Sequence, residues 1–159
     1  MNILVREASI DDAQLLADLT RSAWADRVAP NSSGHHEDAH GVTRHLREGG
    51  GFVLLVSDTP AGSVRWLPHD ADPDVWDILR MGVLPDHRGN SLSQYLLEAV
   101  IHLALASDVS ELRLAVRTDQ SRLLDLYATY GFEVAPELEY AHANPHGPAP
   151  TVMRRRLQS

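Results

Sequence analysis

Residues 75–84, VWDILRMGVL, constrain the fold most, because apolar side chains occur on both faces of an extended chain in this segment. A strand with this pattern is typical of the centre of a sheet that is covered on both sides. The next segment has helical periodicity on two neighbouring faces, formed by Leu92, Leu96, Val100 and Leu103 and by Leu97, Ile101 and Ala104. A buried strand followed directly by a buried helix predicts a sheet that carries helices on its faces.

The remaining elements extend this prediction over the whole chain. Before the central strand, the pattern predicts a strand at 2–6, a helix opened by a capping box at Ser9 and Asp12, a histidine-rich helix at 35–47, and strands at 52–56 and 63–67 joined by a turn at 58–62. After it come a strand at 111–117, a helix from Asp119 to Gly131, and strands at 132–134 and 151–157. We therefore expect one α/β (mixed α+β) domain over residues 1–159, with a central, partly parallel sheet of about seven strands and four helices on both faces.

The composition excludes several classes of chemistry. The 159 residues include no cysteine and no lysine, so a cysteine nucleophile, a Schiff-base lysine and a Walker-type phosphate lysine are all unavailable. A net charge of −8 argues against binding to nucleic acid or to an anionic membrane surface. The sequence begins without a secretory signal pattern and has no apolar run long enough to span a bilayer, so we expect a cytoplasmic protein with no membrane partner.

The loop between the central strand and the following helix, residues 85–93, is suited to binding an anion. The first N–H groups of a helix have no internal partner, and the helix dipole places partial positive charge there. Arg88 adds a forked cation that fits phosphate, and Gly89 permits a tight backbone path close to a ligand. An ordinary turn with an exposed arginine explains the same residues, and these features alone favour neither interpretation.

Two segments resemble the GNAT superfamily of N-acetyltransferases. VLPDHRGNSLSQYLL is similar to the family's acetyl-CoA-binding pattern, V-x-P followed by R/Q-x-x-G-x-G/A at the opening of a long helix. LLDLYATYGF is similar to the family's L-Y-x-x-x-G-F helix end. The separation of the two motifs and the order of the elements also fit that fold, so the resemblance extends over nearly the whole chain.

This resemblance implies acetyl-CoA as a co-substrate and no metal. The backbone N–H groups of Met81, Gly82 and Val83 would pair with the pantetheine arm like an added strand, and one of them would polarise the thioester carbonyl. Gly82 within a strand indicates a bulge or a close approach of the ligand. The residues implied in cofactor binding are Met81, Gly82, Val83, Arg88, Gly89, Asn90, Ser91, Leu92, Ser93 and Gln120. Ser91 and Ser93 depart from the family, which usually has glycine or alanine at these positions.

The resemblance also implies direct attack of an amine on the thioester in a ternary complex. Tyr127 matches the tyrosine that protonates the departing thiolate in many relatives, and a phenol stays protonated at neutral pH. Packing in the core is the alternative role for this side chain. Asp77 lies where relatives often carry a carboxylate base, although Glu37 or a histidine of the second helix could act instead, directly or through water.

The acceptor is expected to be a primary amine of a small molecule or peptide. In this family the acceptor pocket is commonly walled by the first two helices and the last hairpin. Those parts contain several acidic residues that would suit a cationic amine, namely Asp26, Glu37, Asp38, Glu137 and Glu139. Many members of the family form dimers, so the resemblance allows a homodimer here.

Three other functions compete with this hypothesis. A catalytically weak or inactive GNAT-like module that binds CoA or a protein would account for Ser91 and Ser93. A zinc hydrolase is suggested by the segment HEDAH, residues 36–40, which matches H-E-x-x-H, but the further residues of the metzincin pattern are missing. The run GNSLS, residues 89–93, comes close to the G-x-S-x-G elbow of serine hydrolases, yet four residues separate it from the strand.

Overall fold

The computed structural model describes residues 2–25, 37–140, 142 and 147–157, and its elements follow the predicted order. The strands are β1 (Ile3–Glu7), β2 (Gly50–Val56), β3 (Thr59–His69), β4 (Asp72–Val83), β5 (Glu111–Val116), β6 (Glu133–Val134) and β7 (Thr151–Arg156). The helices are α1 (Ala13–Trp24), α2 (Ala39–Glu48), α3 (Ser93–Ala106) and α4 (Leu123–Thr129). The predicted mixed sheet of seven strands with four helices is confirmed.

The strands form one sheet in the order β1-β2-β3-β4-β5-β7-β6. Within the described sheet, β4 and β5 are the only parallel neighbours, and every other pair is antiparallel. A parallel pair needs a crossover connection, which α3 supplies between β4 and β5. The predicted central strand therefore lies at the position where the antiparallel half of the sheet meets the parallel step.

The two faces of the sheet carry separate apolar cores. On one face, α3 packs on β2, β3 and β4 and buries Leu96, Leu97, Val100, Ile101 and Ala104. On the other face, α1 and α2 enclose a smaller cluster that contains Leu16, Val42 and Val53. Helix α3 is the most apolar of the four. Its 14 residues cover the segment in which the sequence has two neighbouring apolar faces. In the part of the chain that the structure describes, no helix is long and apolar enough to cross a bilayer.

Several predicted element boundaries are wrong, most clearly those of the first hairpin, of α2 and of α4, which begins at Leu123 rather than at Asp119. The turn between β2 and β3 is formed by Ser57 and Asp58, with φ of 48° and 69°, and residues 59–62 belong to β3. Two successive left-handed residues match the twist of a tight hairpin, so the chain reverses earlier than the Pro-Ala-Gly pattern suggests. Helix α2 begins at Ala39 rather than residue 35, because the Asp38 side chain caps it by accepting the Gly41 N–H at 2.8 Å. Residues 35 and 36 lie outside the described part of the chain.

A buried cluster of charged residues lies between α2 and the sheet. The Glu37 carboxylate accepts hydrogen bonds from Arg65, at 2.7 Å, and from Arg80. Arg65 is 1% exposed, and its guanidinium also lies 3.1 Å from Nδ1 of His45. Burial alone would raise the pKa of Glu37, but the hydrogen bonds and charges of Arg65 and Arg80 outweigh it and lower that pKa. The cluster therefore holds a carboxylate that stays ionised within the fold.

His45 should make stability fall as the pH decreases below 6.5. Burial and the charge of Arg65 lower the pKa of His45 to about 4, whereas the unfolded chain protonates a histidine near the usual value of about 6.5. Below pH 6.5 the unfolded state therefore binds more protons, and the free energy of unfolding should drop by about 1–2 kcal/mol between pH 6.5 and 5. Urea denaturation at both pH values should show this slope in the wild type and lose it in His45→Gln. An equal slope in the two proteins would refute the assignment.

Candidate active site

Strands β4 and β5 separate partway along their length and form a fork. Their parallel pairing covers Val75 to Asp77 on β4 and Glu111 to Arg113 on β5. Beyond these residues β4 continues to Val83 and β5 to Val116, but the two strands no longer pair. The edge of β4 that faces β5 is therefore free of strand partners from Ile78 onward, and an extended ligand could pair with it there.

A bulge interrupts β4 beside this fork. Ser63 of β3 pairs with Gly82 and Arg65 pairs with Leu79, so β4 contains one extra residue between these positions. Arg80 takes a left-handed φ of 56°, which costs a residue other than glycine about 1–2 kcal/mol. The bulge is thus centred on Arg80. At Gly82 a Cβ would lie 2.6 Å from Cζ3 of Trp24, so this glycine makes room for α1.

The loop after β4 turns twice before α3 begins. Pro85–His87 form a single 3₁₀ turn, and Gly89 then takes a φ of 88°. The Arg88 guanidinium donates to the backbone carbonyl of Ala23 at 2.5 Å, which ties the loop to the end of α1. Helix α3 starts at Ser93, directly after the loop, and its Gln94 and Tyr95 N–H groups donate to the carbonyls of Ser91 and Leu92 at 3.2 and 3.1 Å.

One cavity of about 230 Å³ connects the loop, the end of β4 and α4. Nine of the ten cofactor-binding residues predicted from the sequence line it, and Asn90 does not. The side chains that the sequence analysis missed are Ala23, Trp24, His87, Arg117, Leu123 and Leu126. Arg117 directly follows β5. Its position was the sequence signal that could have identified Arg117. It is a cation at the carboxyl end of a strand that has a parallel neighbour, where ligands bind in open α/β sheets. With Arg88, it places two arginines around the cavity.

Tyr127 lies on the wall of the cavity opposite β4. Helix α4 begins after the 3₁₀ turn Thr118–Gln120 and directs this side chain against Phe132, with the ring centroids 6.2 Å apart at 64°. The residue is 8% exposed, and burial raises the pKa of its phenol to about 12. The hydroxyl therefore keeps its proton at neutral pH. The ring packs in the core and the residue also lines the cavity, and its role as the proton donor stays a prediction.

Asp77 lies at the closed end of the fork and outside the lining of the cavity. It is 3% exposed. Its Oδ2 atom lies 3.1 Å from Nδ1 of His69 and 3.4 Å from Nε2 of His142. The neighbouring Ile78 carbonyl accepts a hydrogen bond of 2.6 Å from the Tyr140 hydroxyl. The carboxylate is therefore enclosed by two imidazoles and has little direct access to a ligand.

The acidic residues expected around the acceptor are largely paired. Glu37 is held by Arg65 and Arg80, Glu137 lies 3.3 Å from Arg154, and the Asp38 side chain caps α2. Asp26 lies outside the described residues. Glu37 is also unsuited to act as the base, because its arginine partners lower its pKa. His45 is also a poor candidate for the base. Its pKa is lowered to about 4, so the imidazole takes up a proton only weakly at neutral pH.

The HEDAH segment gains no support as a zinc site. Its Glu37 is bound by two arginines, and its His36 lies outside the described residues. Among the residues whose positions are described, no group of three or more histidine or acidic side chains could hold a metal ion. Ser91 also differs from a nucleophile elbow, since the turn Pro85–His87 separates it from β4.

Replacing Ser91 with glycine should relieve backbone strain and tighten the binding of acetyl-CoA. Ser91 has a φ of 58°, a conformation that costs serine about 1–2 kcal/mol and costs glycine nothing. The greater entropy of unfolded glycine offsets about 0.4–1 kcal/mol of this gain. Ser91→Gly should therefore unfold at the same or slightly higher urea concentration, and it should bind acetyl-CoA more tightly in a calorimetric titration. Ser93→Gly, at the first residue of α3, starts from a backbone without positive φ, so it is the comparison and should lose up to about 0.5 kcal/mol of stability. Weaker acetyl-CoA binding by Ser91→Gly would contradict the prediction.

Solved structures with the same fold are acetyltransferases. The PaiA N-acetyltransferase from Thermoplasma acidophilum, in complex with coenzyme A, matches with a TM-score of 0.78 and 16% identity over 99% of this chain and 100% of its own. The ribosomal-protein-S18-alanine N-acetyltransferase from Escherichia coli matches with a TM-score of 0.77 and 17% identity, over 99% and 96%. YncA from Salmonella typhimurium, with its cofactor acetyl-CoA, matches with a TM-score of 0.78 and 17% identity over 100% of this chain and 96% of its own. No curated protein matches the chain by sequence.

These likenesses show that the chain shares its fold with those structures. The profile of the "Acetyltransferase (GNAT) family" matches residues 16–132, which is most of the chain. The protein belongs to the GNAT acetyltransferase family, and the resemblance drawn from its two motifs is confirmed. The homodimer stays a prediction.

Proposed function

We propose that the protein transfers an acetyl group from acetyl-CoA to a primary amine of a small molecule or peptide, in the cytoplasm and without a metal. The observation that carries this proposal is the cavity lined by the loop before α3, the free end of β4 and Tyr127. Structural neighbours that contain CoA or acetyl-CoA support the choice of co-substrate. The family supports transfer of an acetyl group.

In this proposal each wall of the cavity has its own task. The N–H groups of the loop and the Arg88 guanidinium hold the pyrophosphate, since a helix N-terminus and an arginine fork both favour phosphate oxygens. The strand edge at Met81, Gly82 and Val83 pairs with the amide-containing arm. A backbone N–H of this bulged region then stabilises the negative charge that develops on the thioester oxygen.

The chemistry needs only the two substrates and two proton-transfer groups. The amine nitrogen attacks the carbonyl carbon, so a C–N bond forms while the C–S bond breaks. A base takes one proton from the nitrogen, and the Tyr127 hydroxyl gives its proton to the leaving sulfur. No covalent enzyme intermediate is required, which fits a chain without cysteine.

The proposal is tested by titrating the protein with acetyl-CoA and then measuring thiol release in the presence of a primary amine. The absence of lysine simplifies this assay, because the enzyme has no side-chain amine of its own to acetylate. Arg88→Ala should bind acetyl-CoA about 10–100-fold more weakly, since it removes charge-assisted hydrogen bonds worth about 1.5–3 kcal/mol. Arg47→Ala, an exposed arginine on α2, is the control and should bind as the wild type does. Failure of the wild type to bind millimolar acetyl-CoA would refute the proposal.

A catalytically weak CoA-binding module is the second candidate. The left-handed Ser91 favours it, because a strained serine stands in the loop where the family usually has glycine or alanine. Such a module would bind acetyl-CoA and release no thiol with any amine. The same two measurements therefore separate the candidates.

A further inference from the structure

The closed end of the fork carries a cluster of polar side chains to which the two sequence motifs assign no role. Asp77 is the last β4 residue paired with β5, and Ile78 is the first residue beyond that pairing. A pantetheine arm that pairs with β4 and runs from Val83 toward Ile78 directs its acyl end to the closed end of the fork. Successive strand residues rise about 3.3 Å, so Asp77 lies about 7 Å along β4 from Leu79. An amine that attacks the acyl carbon would reach it near this cluster.

The cluster is built from three elements. Asp77 comes from β4 and His69 from the end of β3, while Tyr140 and His142 come from the segment between β6 and β7. The Tyr140 ring contacts the His142 ring, with centroids 5.4 Å apart, and its hydroxyl is fixed on the Ile78 carbonyl. Burial raises the pKa of Tyr140, so this hydroxyl remains a hydrogen-bond donor. These contacts hold Tyr140 and His142 against the closed end of the fork.

The geometry assigns different tasks to Asp77 and to His69. The Asp77 side chain is 4% exposed, whereas those of His69 and His142 are 19% and 26% exposed. A carboxylate only accepts hydrogen bonds, so Nδ1 of His69 carries the hydrogen in the 3.1 Å contact with Asp77. The other ring nitrogen, Nε2, then has a free lone pair. A carboxylate that orients an imidazole in this way also stabilises the imidazolium that forms when Nε2 accepts a proton.

We propose that His69 is the base that removes the proton from the acceptor amine, and that Asp77 is the positioning residue behind it. This inference rests on the proposed acetyl transfer and replaces the direct role of Asp77 expected from the sequence. During the reaction one N–H bond of the attacking amine breaks, its proton moves to Nε2 of His69, and the electron pair stays on the nitrogen that bonds to the acyl carbon. The proton then passes to water.

The charged groups that face His69 come from β4. Asp72 faces it across the β3–β4 pair, and Asp77 contacts it directly. The other titratable groups around the Asp77 carboxylate are Arg80 on β4, Arg113 on β5, and Tyr140 and His142 before β7.

The test measures kcat/KM against pH with acetyl-CoA. The acceptors are a primary amine that has no other charged group and a peptide with a free amino terminus. His69→Asn keeps a side-chain N–H for Asp77 but has no basic nitrogen, so kcat should fall by about 10²–10⁴-fold. The acidic limb of the profile should disappear, while the melting temperature stays within a few degrees of wild type and the acetyl-CoA Kd stays within twofold. Asp77→Asn should move that limb to lower pH, and His142→Asn should leave it in place.

Three outcomes would overturn the inference. An active wild type whose limb and kcat survive in His69→Asn would remove His69 from the mechanism, and loss of the limb in His142→Asn would assign the base to His142. Both results leave the proposed acetyl transfer intact. A wild type that binds acetyl-CoA but acetylates no amine would overturn the acetyl transfer and the inference together.

Discussion

Tyr127→Phe is expected to lower kcat about 10²–10³-fold while leaving the affinity for acetyl-CoA nearly unchanged. The substitution removes only the hydroxyl, and the ring can keep its edge contact with Phe132. Without a proton donor, the leaving group departs as a free thiolate, which raises the barrier to C–S cleavage. Because the pKa of Tyr127 is raised to about 12, the wild-type rate should show no loss from tyrosine ionisation below about pH 10.

Tyr130→Phe is the matched control for this prediction. Tyr130 lies one turn later, and its hydroxyl donates to Gln94 at 2.8 Å and to Glu98 at 3.1 Å, outside the cavity lining. Its removal should change kcat less than about threefold, because these hydrogen bonds lie at the surface. Steady-state thiol release compares the two variants directly. Equal rates for Tyr127→Phe and wild type would show that another group protonates the thiolate.

Glu37→Gln is expected to destabilise the fold by about 3–5 kcal/mol, because it leaves two arginines without their shared carboxylate. Arg65 is almost fully buried, so its charge cannot regain the hydration it lost on folding. Arg80 also depends on this contact, and its left-handed backbone forms the bulge beside the fork. Urea denaturation at pH 7 should measure the loss. Acetyl-CoA affinity should fall as well if the bulge relaxes.

Asp18→Asn provides the comparison for an exposed pair. Asp18 is bound by Arg21 on the surface of α1, with side chains 55% and 38% exposed. Solvent screens such a pair, so its removal should cost no more than about 0.5–1 kcal/mol. A change of less than about 1 kcal/mol in Glu37→Gln would mean that the buried cluster adds little net stability.

The sequence was sufficient for the features that depend on local patterns. The two-sided apolar strand and the helix after it were recognised because burial on both faces removes the usual alternation of polar residues. Tyr127 was singled out because LLDLYATYGF resembles the family's helix end, in which Gly131, with its φ of 86°, follows at the family's spacing. The cofactor loop could be delimited because its proline fixes φ and lacks an N–H, while its glycine readily adopts a positive φ.

Long-range pairing explains what the sequence did not reveal. Arg65 stands between apolar residues in β3, which signals a buried charge, but its partner Glu37 lies 28 positions away. The preference of Ser57 and Asp58 for the hairpin turn was hidden by the stronger Pro-Ala-Gly signal that follows. His69 and Asp77 meet only because β3 and β4 form a hairpin. His69 carries no local pattern that would mark it.

The fork divides the sheet into two halves. Backbone pairing joins the half formed by β1 to β4 to the half formed by β5 to β7 at only three register positions. A cofactor that fills the gap would supply the missing ladder and bind the folded state alone, so unfolding would become harder as its concentration rises. The fraction of unfolded chains, on which proteases act, would then depend on the acetyl-CoA supply. The abundance of the protein in a cell would thus follow the availability of its own substrate.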